Sequence, residues 1–206
     1  MIGLSIAKFY SALGYSVVVL EKESRAGEGI SSRNSGVIHG GMYYPANSLK
    51  TKFCIEGNKM LYKYAKLKNI SHQKLGKYII ASQDSDLGKL DKIYEQGISN
   101  GAIIKRCSKD EMQAEYPDLI LTGGIYSSET GIIDVPELIS ALEGDIQRNS
   151  GTVAFNTSFK SATKADNLFE IVCDDGNEFV VQAKNLVNAA GLTSDISSKN
   201  IKQLDK

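Results

Sequence analysis

No apolar run in this chain is long enough to cross a membrane. The stretches at residues 17–20, 79–81 and 186–187 are strand-sized, far short of the roughly 20 residues a spanning helix needs. A charge excess is also missing. Lys and Arg total 24, as do Asp and Glu, so no global field recruits nucleic acid or an anionic membrane. The N-terminus lacks the basic region of a signal peptide, and its apolar residues are spaced like a helix face. Cysteine is scarce. Cys54, Cys107 and Cys173 lie far apart without a CxxC pair, and His39 and His72 are the only histidines. Neither a metal site nor a disulfide framework is expected, and reduced thiols place the protein in the cytoplasm.

What is present suits an ordinary globular protein. Of 206 residues, 42% are hydrophobic and 23% charged, enough for one large domain or two small ones. Ile2, Ile6, Phe9, Tyr10 and Leu13 recur at helical spacing, with Gly14 as the C-cap. Residues 15–20 read as a buried parallel strand ending in Glu21. Glycine- and serine-rich sequence at 24–41 reads as a loop, and residues 48–68 as a helix with Leu49, Phe53, Met60, Leu61 and Tyr64 as its apolar stripe.

From 77 to 121 strands and helices alternate. A strand at 78–81, a polar helix at 87–100 and a strand at 102–104 precede a short helix opened by a Ser108–Glu111 capping box and stopped at Pro117. A strand at 124–126 follows. Asp134-Val-Pro-Glu137 starts another helix, ending near Gly151. Strands are expected at 153–155, 159–162, 169–173 and 179–182, with Asp175-Gly176 as a hairpin turn. Residues 186–191 read as a last buried strand running into a glycine turn, and the tail after Ser197 as frayed. The apolar runs at 17–20 and 186–188 are expected to be parallel strands of one doubly wound α/β core.

A helix opening at Gly3 and a strand ending at Glu21 suit a dinucleotide-binding unit, in which an acid about 20 residues on binds the ribose. Gly3 fits the third glycine of GxGxxG. The first strand and first two glycines would precede Met1, so the chain alone is expected to hold the dinucleotide weakly. The most informative stretch is Ser31-Ser-Arg-Asn-Ser-Gly-Val-Ile-His-Gly-Gly-Met-Tyr-Tyr-Pro45. Glycines let backbone lie against a planar cofactor, Ser32, Arg33, Asn34 and Ser35 offer donors to phosphate oxygens, and His39 sits beside an open Gly40-Gly41.

The string RNSGVIHGGMYYP, followed by SLKTKFCIEG, resembles the L-2-hydroxyglutarate dehydrogenase/oxidase family of the D-amino-acid-oxidase-like flavoproteins. Glu129-Thr-Gly-Ile-Ile-Asp134 and Asn188-Ala-Ala-Gly191 follow in family order. The resemblance covers nearly the whole chain, but the family continues past the last motif, so the chain is expected to be truncated at both ends. It implies an FAD-binding Rossmann-like domain of the glutathione-reductase type (1–76 and 150–206) with a β-meander insertion at 153–182, and part of an α+β substrate domain (77–149). Glu21 would hold the ribose, with Ser32, Arg33, Asn34 and Ser35 near the pyrophosphate. Gly36 to Gly41, including Gly40, would pass along the flavin, and Ala190 and Gly191 would close over it.

The implied reaction is oxidation of a 2-hydroxy acid, with oxygen or a quinone as electron acceptor; a quinone would bring peripheral membrane association. His39 is then the base or an orienting hydrogen-bond donor. Tyr43 and Tyr44 are read as packing, Lys50 and Lys52 as solvated helix lysines. Oxidation of an amine or of glycerol phosphate by a related flavoenzyme, and a non-catalytic remnant of a split gene, remain the alternatives.

Overall fold

In the computed structural model, residues 1–202 are described. Helix α1 (Ile2–Ala12) leads to strand β1 (Val18–Leu20), then β2 (Val37–Ile38) and the long helix α2 (Leu49–Lys68). Next come β3 (His72–Gln73), β4 (Lys77–Ala81), α3 (Leu87–Ser99), β5 (Ile104–Cys107), α4 (Lys109–Glu115), β6 (Gly123–Ser127) and β7 (Gly131–Ile133). The chain finishes with α5 (Val135–Arg148), β8 (Thr152–Ala154), β9 (Ser158–Ala165), β10 (Leu168–Asp174), β11 (Glu178–Ala183), α6 (Ser194–Lys199) and β12 (Ile201–Lys202). Contacts divide these elements into two compact units, Met1–Asn34 with Val135–Lys206, and Ser35–Asp134.

In the first unit α1 packs on α5. The face that does so is not the large apolar stripe. Leu4, Ala7 and Ser11 are buried while Ile2, Phe9 and Leu13 are mostly exposed, and the small Ala7 and Ser11 beside Leu4 leave room for a close helix approach. Gly14, at φ +85°, follows the helix end in the conformation that favours glycine. On α5, Val135, Leu138, Ile139, Leu142 and Ile146 form one helical stripe, all buried. Strand β1 pairs in parallel with β8, Val19 opposite Val153.

Strands β9, β10 and β11 form the antiparallel meander, closed by a turn with Gly176 at φ +113°. Ala162, Ile171 and Cys173 are its core. Residue 153 therefore belongs beside β1 and not to the meander. The strand expected at 186–188 is absent: no ladder partner for it exists among the described residues, and a strand needs a neighbour to receive its backbone hydrogen bonds. Leu186 instead packs on the meander core and Val187 is exposed. Nor is the chain beyond Ser197 frayed throughout, since α6 forms and β12 pairs with β9; residues 203–206 lie outside those described.

The second unit has two three-stranded sheets, in the orders β2-β7-β3 and β4-β6-β5, all antiparallel. Leu90 of α3 meets Ala81 and Ile125 of the second sheet, and Met112 of α4 meets Cys107 and Leu121. The Ser108–Glu111 capping box forms in both directions. Helix α2 is capped by Ser48, whose hydroxyl accepts from Thr51, and stops at Asn69 in the left-handed conformation. This division differs from boundaries at 76/77 and 149/150. Strand β7 pairs with both β2 and β3, which ties 37–38 and 72–73 to 131–133, and α5 belongs with α1. Among the described residues, no helix is long and apolar enough to cross a membrane.

Ile146 of α5 is fully buried. Ile146→Ala is expected to lower unfolding free energy by about 2–5 kcal/mol, the usual cost of a core truncation. Leu192→Ala, at an exposed side chain, should stay within about 0.5 kcal/mol; urea denaturation of the two variants checks the pair.

Candidate active site

The loop through His39 is held from below at every residue. Gly36, at φ +65°, accepts the Ile133 amide on its carbonyl, and Val37 and Ile38 then pair with Ile132 and Gly131. Ile38 is buried. The His39 carbonyl receives the Asn58 carboxamide at 3.0 Å and the Cys54 thiol at 3.6 Å. A Cβ on Gly40 would lie 2.7 Å from Ser127 Oγ, and one on Gly41 (φ +81°) would lie 2.5 Å from Ile55 Cδ1. Glycine is required at both places because the backbone runs against its supports. Met42 is buried beneath, and Asn100 donates to the Gly41 and Tyr44 carbonyls at 3.2 and 2.8 Å. With the backbone anchored, the His39 side chain is left exposed.

Its surroundings are cationic. Lys50 Nζ stands 4.3 Å from the Tyr44 ring centroid and Lys77 Nζ 4.7 Å from that of Tyr43. Partial desolvation first, then the Lys77 and Lys50 ammonium groups, hold the His39 imidazole below its ordinary pKa. Both causes favour the neutral ring, the form a proton acceptor needs. Burial raises the Cys54 thiol, which makes it a poor nucleophile.

In the first unit, three segments meet the N-terminus of α1. A Cβ on Gly3 would stand 3.2 Å from Ala189 Cβ, the Met1 amino group lies 3.5 Å from Ser31 Oγ, and Glu21 acts on that same amine. Glu21 also accepts the Glu23 amide at 3.1 Å. The donors expected at 32–34 are partly committed to their own turn. Ser32 donates to the Gly29 carbonyl at 3.0 Å and Asn34 to that of Ser31 at 2.7 Å, whereas Arg33 and Ser35 are exposed. Asn188 shapes the last motif. Its carboxamide donates to Ser194 at 2.7 Å and accepts the Ala190 amide at 3.2 Å, and a Cβ added at Gly191 (φ +60°) would meet nothing within 4 Å.

A sequence profile described as FAD dependent oxidoreductase (DAO) matches residues 1–205. The chain belongs to this family. It is 31% identical to mitochondrial L-2-hydroxyglutarate dehydrogenase of Arabidopsis thaliana over 234 residues, covering 100% of this chain and 48% of that protein. The human mitochondrial L-2-hydroxyglutarate dehydrogenase is 31% identical over 190 residues, 87% of this chain and 41% of that one. The chain thus spans about half or less of the curated relatives it matches.

L-alpha-glycerophosphate oxidase from Mycoplasma pneumoniae with FAD bound has a TM-score of 0.88 at 25% identity, over 98% of this chain and 54% of that one. Glycine oxidase from Bacillus cereus gives a TM-score of 0.81 at 20% identity over 96% and 56%, a likeness of fold alone. The fold of this chain is accordingly the Rossmann-like α/β fold of the FAD-binding family.

Not all of the site residues share a unit. Gly3, Glu21, Ser32, Arg33, Asn34, Ala190 and Gly191 lie in the first; Ser35, Gly36, His39 and Gly40 lie in the second. Asn58, Asn100 and Lys77 escape sequence reading. Only Asn58 left a signal, as a polar residue seven from both Thr51 and Ala65, which are buried with it on one face of α2. Among the described residues, no group of three or more His, Cys, Asp or Glu could hold a metal.

Asn58 is buried and also donates to the Glu129 carbonyl at 2.8 Å. Asn58→Ala removes two hydrogen bonds, leaving the His39 carbonyl with only the Cys54 thiol and the Glu129 carbonyl with only the Tyr62 hydroxyl, and is expected to cost about 1–3 kcal/mol. Asn58→Asp should cost more, since a carboxylate cannot donate to either carbonyl. Urea denaturation ranks the two; equal stability of Asn58→Asp and wild type would remove Asn58 from this role.

Proposed function

We propose that the protein is an FAD-dependent oxidoreductase that oxidises a 2-hydroxy acid such as L-2-hydroxyglutarate. The observation that carries this reading is His39, a neutral imidazole exposed on a backbone clamped from both sides, in a chain whose curated relatives are named L-2-hydroxyglutarate dehydrogenases. We assign Met1–Asn34 with Val135–Lys206 to cofactor binding and Ser35–Asp134 to the substrate side.

The residues present fit FAD. Close approach of Gly3 to Ala189 brings the α1 N-terminus, Glu21 and the residue 188–191 turn to one place, and helix N-termini favour phosphate. Glu21 would accept from the ribose hydroxyls. Arg33, Ser35 and the backbone around Ser32, Asn34 and Gly36 would face the pyrophosphate and flavin side, and Ala190 and Gly191, with open space around the glycine, would allow close cofactor approach. Gly40 keeps the backbone low enough to lie beside a flat ring. When bound, the flavin supplies the two-electron acceptor. A ring nitrogen of His39 takes the substrate hydroxyl proton as C2 is oxidised.

Oxygen or a quinone would take the electrons onward, a quinone by way of peripheral membrane association. Three free cysteines suit a reducing compartment, and the cytoplasm is the one proposed. A second reading, oxidation of glycerol phosphate, is favoured by the TM-score of 0.88 to a glycerophosphate oxidase. Flavin reduction by L-2-hydroxyglutarate and by glycerol 3-phosphate, compared on flavin-reconstituted protein, decides between them.

Because the His39 pKa lies below its ordinary value near 6.5, flavin reduction should be flat through neutral pH and fall only on the acid side. His39→Gln is expected to keep FAD, slow flavin reduction roughly 10²-fold or more, and abolish that acid limb. Stopped-flow flavin absorbance across pH reads all three. A near wild-type rate would show that His39 is not the base, and loss of flavin would make its role structural.

A further inference from the structure

We infer that Lys50 and Lys77 receive the two carboxylates of a dicarboxylate substrate, and so determine which 2-hydroxy acid His39 acts on. The inference rests on the 2-hydroxy-acid reading and adds Lys50, read in the sequence as a solvated helix lysine, and Lys77, which no motif singled out.

Lys50 lies in the first turn of α2 and Lys77 opens β4, 27 residues later (77 − 50). Folding brings them to adjacent rings. Tyr44 carries the first ammonium at 4.3 Å and Tyr43 the second at 4.7 Å, and these tyrosines follow His39 by only five and four residues. A ring covers one side of an ammonium, whose N–H groups on the other side stay available to an acceptor. Lys22, Lys74, Lys89, Lys160 and Lys199 each have a carboxylate within 4.0 Å. Among the described residues, neither Lys50 nor Lys77 has one.

The two charges are felt at His39, whose protonated form both ammonium groups disfavour. An uncompensated pair of cations beside a neutral base calls for an anion of charge −2, supplied by the ligand. A 2-hydroxy dicarboxylate brings that charge and presents its hydroxyl to the imidazole.

The test uses glutarate, a dicarboxylate with no hydroxyl to oxidise, titrated into the protein while the His39 ring resonances are followed by NMR. Wild type should show a saturable shift. Lys50→Met and Lys77→Met should each weaken binding several-fold and the double variant about tenfold or more, the scale of two partly exposed charge pairs. The Lys50→Arg, Lys77→Arg double variant should stay within about threefold of wild type, because charge is kept. Lys59→Met, further along α2, should change nothing. Butyrate, with one carboxylate, should bind several-fold more weakly than glutarate.

Unchanged glutarate affinity in the Met double variant would overturn the inference, as would equal binding of butyrate. Tighter binding of inorganic phosphate than of glutarate would overturn the dicarboxylate assignment in favour of a phosphate ester. If glutarate binding needs both lysines but L-2-hydroxyglutarate fails to reduce the flavin, the reaction assignment falls while the site stands.

Discussion

Asn58 projects from the buried side of α2 and gives its two amide hydrogens to carbonyls on separate segments, His39 after β2 and Glu129 before β7. Without Asn58 the first carbonyl would keep only the weakly donating Cys54 thiol and the second only the Tyr62 hydroxyl. The bridge ties the long helix to the β2–β7 pairing. It also sets where the loop emerges, and the Gly40 and Gly41 contacts, the Met42 anchor and the Asn100 clamp all follow from that path. Glu129 is fixed in turn by the Tyr62 hydroxyl at 3.2 Å and by Lys74 at 2.6 Å.

Close backbone approach governs the first unit in the same way. The small face of α1 against α5, and Gly3 against Ala189, let a helix end, a strand end and a turn converge where larger residues would hold them apart. Electrostatics then separates the two regions in character. One presents a helix N-terminus and Glu21; the other presents two ammonium groups around a neutral imidazole.

Longer elements were legible from pattern alone. Helix α2, the Ser108–Glu111 capping box and the Asp175-Gly176 turn all form where expected, because each depends on residues within a few positions of one another. The stripe residues Leu49, Phe53 and Met60 of α2 are nonetheless exposed, and Thr51, Asn58 and Ala65 are its buried face. Short strands were not legible. Strands β2, β3 and β7 are two or three residues long, too short for any periodicity, and exist only because distant segments pair. The apolar run at 186–188 carried a strand pattern and formed none, since pattern cannot supply the neighbour a ladder requires.

The sequence by itself determined the family, through one distinctive loop, and with it FAD dependence and the candidate role of His39. These are properties of residue type and order, readable wherever the chain happens to fold. Tertiary structure alone decided which partners those residues acquired. It recruited Asn58, Asn100 and Lys77 from far along the chain and turned Lys50 from a solvated helix lysine into a neighbour of the site. It also spent the Ser32 and Asn34 side chains on their own turn. The physical reason is that hydrogen bonds and charge interactions act over ångströms in space, and only folding sets those distances between residues far apart in sequence.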